Sequence, residues 1–296
     1  MGRVLLLFFA LYLPGSLFAL VRFVESSAPY ISGDTFRSLC DFYLDEVNDT
    51  VDPQKVQPGS CIFVSGDYLE RFFSSKHPSI SHPYILVSHN TDDVAPGPYG
   101  NYLNDPTLVA WFAQNVSLEH PKLHPIPIGI ANKWWPHGKT ELLDHCRNQV
   151  GTSSREHLVY LNFCVQTNAV VRTKVYEKFV KEAYCFAAQT KPWKDYLSDL
   201  GRAKFVLSPR GHGLDCLRTW EALYMGAIPV VQTSSMDSIF DGLPVVIVQS
   251  WDEVSESFLQ QKYEEMSKKK YSYEKLFTPY WFERIHSFKQ LALDHN

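Results

Sequence analysis

The sequence predicts an α/β protein built on parallel sheets, and three observations support this prediction. Residues 203–231 run as apolar strand, glycine-bearing loop, helix, glycine and strand, which is the pattern of a βαβ unit. Residues 84–88 form a second apolar run that is typical of a buried strand. The polar segment 148–156 separates these two regions, and strand and helix patterns begin again after it. We therefore expect two α/β domains, at 29–148 and 155–275, followed by closing helices at 276–296.

Composition limits the class of protein. The chain has 296 residues, of which 45% are hydrophobic and 20% charged, and this suits a globular protein with one large or two small cores. The formal net charge is −4 and no long basic run occurs, so no nucleic-acid partner is expected.

Residues 1–22 predict a signal peptide or a signal anchor. A short basic start is followed by an apolar stretch at 4–20 that is interrupted only by Pro14, Gly15 and Ser16. This stretch is at the lower limit for spanning a bilayer, so cleavage and membrane anchoring through residues 4–20 remain alternatives. Both alternatives send the rest of the chain to the lumen of the secretory pathway.

Cysteines and glycosylation sequons fit that compartment. The 6 cysteines are an even number, which predicts disulfides, but three fall in each half, so either at least one bridge joins the halves or some thiols stay free. Sequons begin at Asn48 and Asn115. We expect Asn48 to be accessible, because its surroundings are polar, and Asn115 to be buried, because it follows an apolar segment.

The first domain is predicted to alternate helices and strands. Helical patterns occur at 34–45, 67–73, 105–110 and 140–146, and strand patterns at 61–64, 84–88, 111–115 and 123–130. The strand at 84–88 is followed by the polar residues His89, Asp92 and Asp93. Ligands of open α/β sheets bind at the carboxyl ends of strands, so we expect part of a site there.

The second domain repeats this alternation around the 203–231 unit. Strands are predicted at 157–163, 203–207, 228–231 and 243–248, and helices at 172–183, 193–203, 215–224 and 251–265. Asp215 is a suitable helix cap, and Gly226 suits the left-handed position that ends a helix. We expect the closing helices to pack back across the first domain.

The loop and helix of the 203–231 unit predict a nucleotide site. Arg218 lies in the first turn of the helix, where a cation costs up to about 1 kcal/mol unless an anion is present. Arg210 and the glycines at 211 and 213 precede it, and they suit a phosphate. Glu221 faces the same way and could accept from ribose hydroxyls. The alternative, a surface ion pair of Arg218 and Glu221, is worth only a few tenths of a kcal/mol.

Three consecutive motifs resemble the donor-site segment of exostosin-type glycosyltransferases (family 47). They are Pro209-Arg210-Gly211-His212-Gly213, Arg218-Thr219-Trp220-Glu221-Ala222 and Gly226-Ala227-Ile228-Pro229. Their order and spacing match the family's pattern. The resemblance implies a GT-B-like fold of two Rossmann-like domains facing a cleft, a nucleotide-sugar donor, no bound metal and a Golgi-lumen location, membrane-anchored or secreted.

The resemblance also directs the choice of site residues. Donor binding is assigned to Arg210, Gly211, His212, Gly213, Arg218 and Glu221, with Asn162 and Arg172 added from the first strand and helix of the second domain. The base that deprotonates the acceptor hydroxyl is sought in the first domain, at Asp92 or Asp93, with His89 as the next choice. The alternative for 90–93 is a simple turn.

These observations predict a glycosyltransferase that moves a hexosyl or pentosyl group from a UDP-linked donor to a glycan or glycoprotein hydroxyl, with inversion. The alternative is a non-catalytic, lumenal glycan-binding homologue of the same fold. A secreted hydrolase is disfavoured because the sequence lacks a G-x-S-x-G motif. Trp134 and Trp135 are expected in the core or at a domain interface, with an acceptor platform as the alternative.

Overall fold

The computed structural model describes residues 24–150 and 155–294, which form two parallel-sheet α/β domains on either side of a cleft. The predicted fold class is therefore confirmed. The predicted leader at 1–22 lies outside the described residues. Within the described part of the chain, no helix is both long and apolar enough to span a bilayer.

The first sheet has five parallel strands in chain order. They are β1 (Phe42–Leu44), β2 (Ser60–Ser65), β3 (Tyr84–His89), β4 (Leu108–Ala113) and β5 (Leu123–Pro125). Strands β2 and β3 pair along their whole lengths, and nearly all their side chains are buried, as expected for a sheet covered on both faces. Their last residues, Ser65 and His89, are partners in this register, so the segments that follow emerge at one edge.

The two faces of this sheet are covered by different parts of the chain. Helix α1 (Gly33–Ser38) lies on one face, and the segment 66–79, which includes α2 (Leu69–Arg71), lies on the other. In that segment, Phe73 stacks on Tyr102 with ring centroids 4.1 Å apart and also packs on Trp111.

The last helix of the chain completes the first domain. Helix α8 (Thr278–Asp294) packs against β3 and β4 beside α1, as predicted for the closing helices. Its Trp281 meets Phe36 edge-on at 5.7 Å between ring centroids, and its Phe288 meets Phe112 at 5.3 Å. Apolar burial of this kind is the main source of stability of such a face.

The second sheet also has five parallel strands. They are β6 (His157–Leu161), β7 (Cys185–Ala187), β8 (Ala203–Leu207), β9 (Ile228–Gln232) and β10 (Val246–Val248), in the order β10-β9-β8-β6-β7. Strands β7 and β8 lie on opposite sides of β6, so the strand order reverses there. This reversal is the switch point at which open α/β sheets form ligand sites.

Five further helices surround the second sheet. They are α3 (Thr140–Val150), α4 (Ala169–Phe179), α5 (Trp193–Arg202), α6 (Leu217–Tyr224) and α7 (Glu256–Ser267). Helix α3 packs against α5. Helix α6 is followed by Gly226 with φ of 70°, in the left-handed region that its sequence predicted.

Several predicted elements are wrong. The helix predicted at 34–45 ends at Ser38 and is followed by β1, and the helix predicted at 105–110 is a turn leading into β4. In that turn the Asp105 carboxylate accepts from the Thr107 backbone N–H at 2.8 Å, which stabilises a turn instead of a helix. Strand β5 stops at Pro125 because proline has no N–H for the ladder.

The sequons and cysteines are partly as expected. Asn115 is buried as predicted, but Asn48 is buried as well, so the expectation that it is accessible is wrong. All six cysteines lie in the described ranges and are free thiols, and the sulfurs of Cys40 and Cys61 lie 3.0 Å apart.

Candidate functional site

A cavity of ≈ 400 Å³ lies at the switch point, between the carboxyl ends of β6 and β8. Its lining includes seven of the eight residues assigned to the donor from the sequence: Asn162, Arg172, Gly211, His212, Gly213, Arg218 and Glu221. The eighth, Arg210, has an exposed side chain outside this lining, and only its backbone carbonyl takes part, by accepting from Arg172. The structure therefore brings the predicted residues together with one exception.

Arg218 is the cation best placed to meet an anion in this cavity. Its Nε donates to the Asn162 carbonyl at 2.8 Å, and its guanidinium lies 5.3 Å from the centroid of the Phe163 ring. Its Nη1 is buried and has no hydrogen-bond partner among the described residues. Buried donors normally have partners, so an acceptor on a ligand would satisfy this one.

Glu221 lies on the same helix and lines the same cavity. Its side chain is only 5% exposed and accepts from the Tyr196 hydroxyl at 2.9 Å, while burial raises the pKa of its carboxyl group. The Trp193 indole N–H lies beside it without a hydrogen bond of normal geometry. Arg218 bonds Asn162 and Glu221 bonds Tyr196, so the surface ion pair considered from the sequence is not formed in the described structure.

Arg172 holds the loop after β8 in place. Its guanidinium donates to the backbone carbonyls of Cys164 at 2.8 Å, Arg210 at 3.1 Å and Pro209 at 3.2 Å. Burial lowers the pKa of this guanidinium, and the neighbouring charge of Arg218 lowers it further. Two cations that face one cavity repel each other, and a bound anion would relieve this repulsion.

The loop after β8, which contains Gly211 and Gly213, contacts the first domain. A β-carbon at Gly213 would lie 2.6 Å from the side-chain nitrogen of Asn115, which comes from the end of β4. The Asn115 side-chain oxygen accepts from the backbone N–H groups of Leu214 at 2.9 Å and Asp215 at 3.2 Å. The missing side chain of Gly213 thus makes room for Asn115, which already occupies the two N–H groups that follow, while Gly213 itself lines the smaller cavity.

Asp215 is a second residue that connects the two domains. It is not the predicted helix cap, since Cys216 occupies the cap position of α6. The Asp215 carboxylate accepts from the Ile128 backbone N–H at 2.9 Å, in the first domain, and from the Trp220 indole at 2.7 Å, within α6. Burial raises its pKa to about 6. The first domain is therefore fixed against both the loop and the helix that line the cavity.

A larger cavity of ≈ 960 Å³ lies along the carboxyl edge of the first sheet. Residues that follow β2, β3 and β4 line it, including Asp67, Asn90 and Gln114. Four residues line both cavities: Asp92, Ile128, His137 and Leu217. The two cavities therefore adjoin, with the smaller one on the second domain and the larger one on the first.

The three predicted base candidates occupy different environments. His89 is buried, its Nδ1 accepts from the Asn90 N–H at 2.8 Å and its Nε2 lies 3.1 Å from the Pro127 carbonyl. Both ring nitrogens are thus engaged within the protein, so we place His89 behind the two aspartates as a candidate base. Asp93 lines only the larger cavity, and its N–H donates to Thr91 Oγ1 in a turn.

Asp92 stands where the cavities meet. Its Oδ2 lies 3.5 Å from His212 Nδ1, and the two side chains are 64% and 65% exposed. Of the three candidates, this is the carboxylate that can contact ligands in both cavities.

Sequence reasoning missed other residues of the site. His137 is half-buried at the junction of the cavities, and burial lowers its pKa, but a lone histidine in an aromatic loop gives no signal in the sequence. Tyr196 and Trp193 lie on α5, which the sequence did not connect to the site. The expectation that Trp134 and Trp135 are core or interface residues is wrong, because both are exposed in the larger cavity.

Across residues 24–150 and 155–294, no group of three or more His, Cys, Asp or Glu side chains is arranged to hold a metal ion.

In comparisons with known proteins, one family model matches this chain. A family model described as the RXYLT1 C-terminal domain matches residues 140–292. That interval contains all eight residues assigned to the donor from the sequence. No curated protein matches the chain by sequence.

Solved structures give weaker likenesses. The chain is similar to a UDP-forming α,α-trehalose-phosphate synthase from Burkholderia xenovorans, with 10% identity, a TM-score of 0.43, and coverage of 81% of this chain and 75% of that one. It is also similar to the catalytic domain of starch synthase IV from Arabidopsis thaliana, bound to ADP and acarbose. There the identity is 11%, the TM-score 0.38, and the coverage 81% of this chain and 74% of that one.

Proposed function

Because the chain belongs to the family of the RXYLT1 C-terminal domain, an exostosin-like glycosyltransferase family, we propose that it transfers a sugar from a nucleotide-sugar donor to a hydroxyl group of a glycan or glycoprotein. One observation carries the proposal. Seven residues assigned to the donor from the sequence, five of them from the family motifs, line a single cavity at the switch point of the second sheet.

The donor occupies the cavity of ≈ 400 Å³ in this proposal. Glu221, steadied by Tyr196, accepts from the hydroxyls of the ribose, and the free Nη1 of Arg218 donates to the diphosphate. We propose a UDP-linked donor that carries a hexosyl or pentosyl group. Arg172 acts indirectly, because its bonds to the carbonyls of the loop fix the cavity wall.

The acceptor occupies the cavity of ≈ 960 Å³, and its hydroxyl meets the donor at Asp92. Asp92 takes the hydroxyl proton while the acceptor oxygen forms a bond to the anomeric carbon. The bond from that carbon to the diphosphate breaks, and Arg218 stabilises the departing negative charge. Attack from the side opposite the leaving group gives inversion. We propose that no metal is needed, because Arg218 and the α6 N-terminus supply the positive charge.

The proposed location is the lumen of the secretory pathway, in the Golgi or beyond it. The sequence of residues 4–20 supports this, as either a cleaved signal or an anchor.

A thermal-shift panel tests the donor site. UDP, GDP and CMP are added to the wild type, Glu221→Ala and the exposed control Glu264→Ala, each with and without EDTA. We expect UDP at about a hundredfold excess over its Kd to raise the Tm of the wild type and the control by roughly 5 °C, unaffected by EDTA. Glu221→Ala should lose most of this shift.

Two outcomes would change the proposal. Absence of any nucleotide response in folded wild type contradicts it and favours the glycan-binding homologue. UDP binding without release of UDP from any tested donor, across a panel of UDP-sugars and glycan acceptors, favours a homologue that has kept the site and lost turnover.

A further inference from the structure

Trp134 and Trp135 form an exposed aromatic pair in the larger cavity. Their side chains are 62% and 44% exposed, and their rings stack with centroids 4.2 Å apart and planes at 28°. Both line the cavity of ≈ 960 Å³. Two large apolar rings held together in water are unfavourable for the protein alone and are typical of a binding surface.

The loop that carries this pair is firmly held. The Asn132 side chain accepts from the Asp34 backbone N–H and donates to the Asn90 side chain, both at 3.1 Å. The Lys133 N–H donates to the Asp34 carboxylate at 2.6 Å, and Trp135 and Asn132 close a backbone turn at 2.9 Å. The exposure of the rings is therefore a property of an ordered loop, so the rings are preorganised for contact.

We infer that Trp134 and Trp135 bind a sugar ring of the acceptor by stacking against its C–H face. This inference rests on the proposed function, because it names what occupies the larger cavity. A sugar ring has an apolar face and a rim of hydroxyls, and the cavity offers the matching combination of indole faces with the polar side chains of Asn90, Asp92 and Gln114.

The position of the pair fits an acceptor better than a donor. Neither tryptophan lines the smaller cavity, which holds Glu221 and Arg218. His137, two residues beyond Trp135, lines both cavities. A sugar stacked on the pair would thus share a cavity with Asp92, which lines both cavities.

The test measures glycan and UDP binding separately. Labelled wild type, saturated with UDP, is applied to an array of N-linked, O-linked and glycosaminoglycan oligosaccharides, and the affinity for the best-bound oligosaccharide is then titrated. Trp134→Ala and Trp135→Ala are compared with Phe282→Ala, a control on α8 that is 44% exposed, like Trp135. We expect each tryptophan variant to lose about tenfold in glycan affinity, with the control and all UDP affinities unchanged.

The outcomes separate this inference from the donor proposal. Glycan affinity that survives both tryptophan changes overturns the inference, as does a wild type that binds UDP but no glycan on the array. A fall in UDP affinity in the tryptophan variants also overturns it, because the pair would then serve the donor. Tryptophan-dependent glycan binding without UDP binding supports the inference and contradicts the donor proposal.

A second, independent observation concerns Cys40 and Cys61. Cys40 follows α1 and Cys61 lies on β2, both are buried, and their sulfurs are 3.0 Å apart. This separation is closer than two unbonded sulfurs normally approach. We propose that they form a disulfide in an oxidising compartment, by exchange with a protein disulfide or oxidised glutathione. The two thiols give up two protons and two electrons, and the donor disulfide is reduced to two thiols.

Peptide mass spectrometry tests this bridge on protein secreted from eukaryotic cells. The protein is denatured in excess iodoacetamide without reduction, so that free thiols are alkylated. We expect a linked peptide pair holding Cys40 and Cys61, while Cys146 is alkylated. Dithiothreitol should lower the Tm of the wild type by roughly 5 °C and leave that of Cys40→Ser/Cys61→Ser unchanged. Alkylated Cys40 and Cys61, or a different pairing, overturns the proposal.

Discussion

His212 Nδ1 lies 3.5 Å from Asp92 Oδ2, and these atoms belong to different domains. Asp92 follows β3 of the first sheet, whereas His212 lies in the loop after β8 of the second. The contact marks the point at which the two cavities join. In the proposed mechanism, this carboxylate reaches the acceptor hydroxyl while the donor lies in the adjoining smaller cavity.

We expect Asp92→Asn to lower kcat by about 10²- to 10⁴-fold, because the amide cannot take the hydroxyl proton. The measurement is UDP release with an acceptor present, together with UDP affinity, which should not change. Asp93→Asn is the matched control, since Asp93 lines only the larger cavity. Equal losses in the two variants would argue for a shared turn, and a loss confined to His137→Gln would move the base to that residue.

Substitutions of Arg210, in the loop after β8, and of Arg218, on α6, should differ in their effect on nucleotide binding. We expect Arg218→Ala to weaken UDP binding by about 1.5–3 kcal/mol, which is the usual value for a hydrogen bond to a charged group. Arg210→Ala should leave binding nearly unchanged, because its side chain lies outside the lining of the smaller cavity. Calorimetric titration of UDP measures both. A comparable loss in Arg210→Ala would show that its side chain also reaches the donor.

Asn115 should contribute to stability across the domain interface. Asn115→Ala leaves the backbone N–H groups of Leu214 and Asp215 without their acceptor, at a cost of about 1–3 kcal/mol for each buried group. We expect the free energy of unfolding in urea to fall by that order, whereas the exposed control Asn101→Ala should change little.

Substitutions at Gly213 and Asn115 should have non-additive effects on the free energy of unfolding. Gly213→Ala places a β-carbon 2.6 Å from the Asn115 amide nitrogen, so this change alone is destabilising, by about 1–3 kcal/mol. In the double variant the obstructing side chain is gone, and we expect a smaller loss than the sum of the two. A double-mutant cycle in urea measures the difference, and strict additivity would contradict the proposed contact.

Asp215 should make stability depend on pH. Burial raises its pKa from 3.8 to about 6, so the folded state binds this proton more tightly than the unfolded chain does. Its stabilising contribution is therefore present below about pH 4 and is lost as pH rises through 6, a change of about 3 kcal/mol. Urea unfolding at pH 4.5 and pH 7.5 captures about 2 kcal/mol of this change, because pH 4.5 lies between the unfolded and folded pKa values.

The control for this experiment is Asp195→Asn, an exposed carboxylate on α5. Asp215→Asn should remove part of the pH dependence that Asp195→Asn retains. Buried Asp34, whose pKa burial also raises to about 6, contributes in the same direction and remains in both variants. Identical pH dependence in Asp215→Asn and the wild type would contradict the assignment.

The sequence predicted best where the signals are local. Strand β8, the end of α6 and the left-handed Gly226 follow from neighbouring residues, whereas the start of α6 lies two residues later than its predicted cap. The sequence did not predict β1 and β7, because three residues are too few to show the alternation of apolar and polar side chains that marks a strand.

Long-range contacts were beyond the sequence. Asn115 accepts from backbone N–H groups 99 and 100 residues away. That contact explains why residue 213 is a glycine, which the motif alone does not. The burial that engages His89 and the exposure of Trp134 likewise depend on how distant segments pack.

The place of α8 has a consequence for the order of synthesis. Trp281 and Phe288 cover Phe36 and Phe112, so the domain that leaves the ribosome first keeps an open apolar face until residues 278–294 have been made. The first domain therefore cannot complete its fold until the whole of the second has been translated. During that interval its uncovered apolar face is a target for chaperones. A premature stop codon before residue 278 would leave the first domain without α8 and therefore incompletely folded.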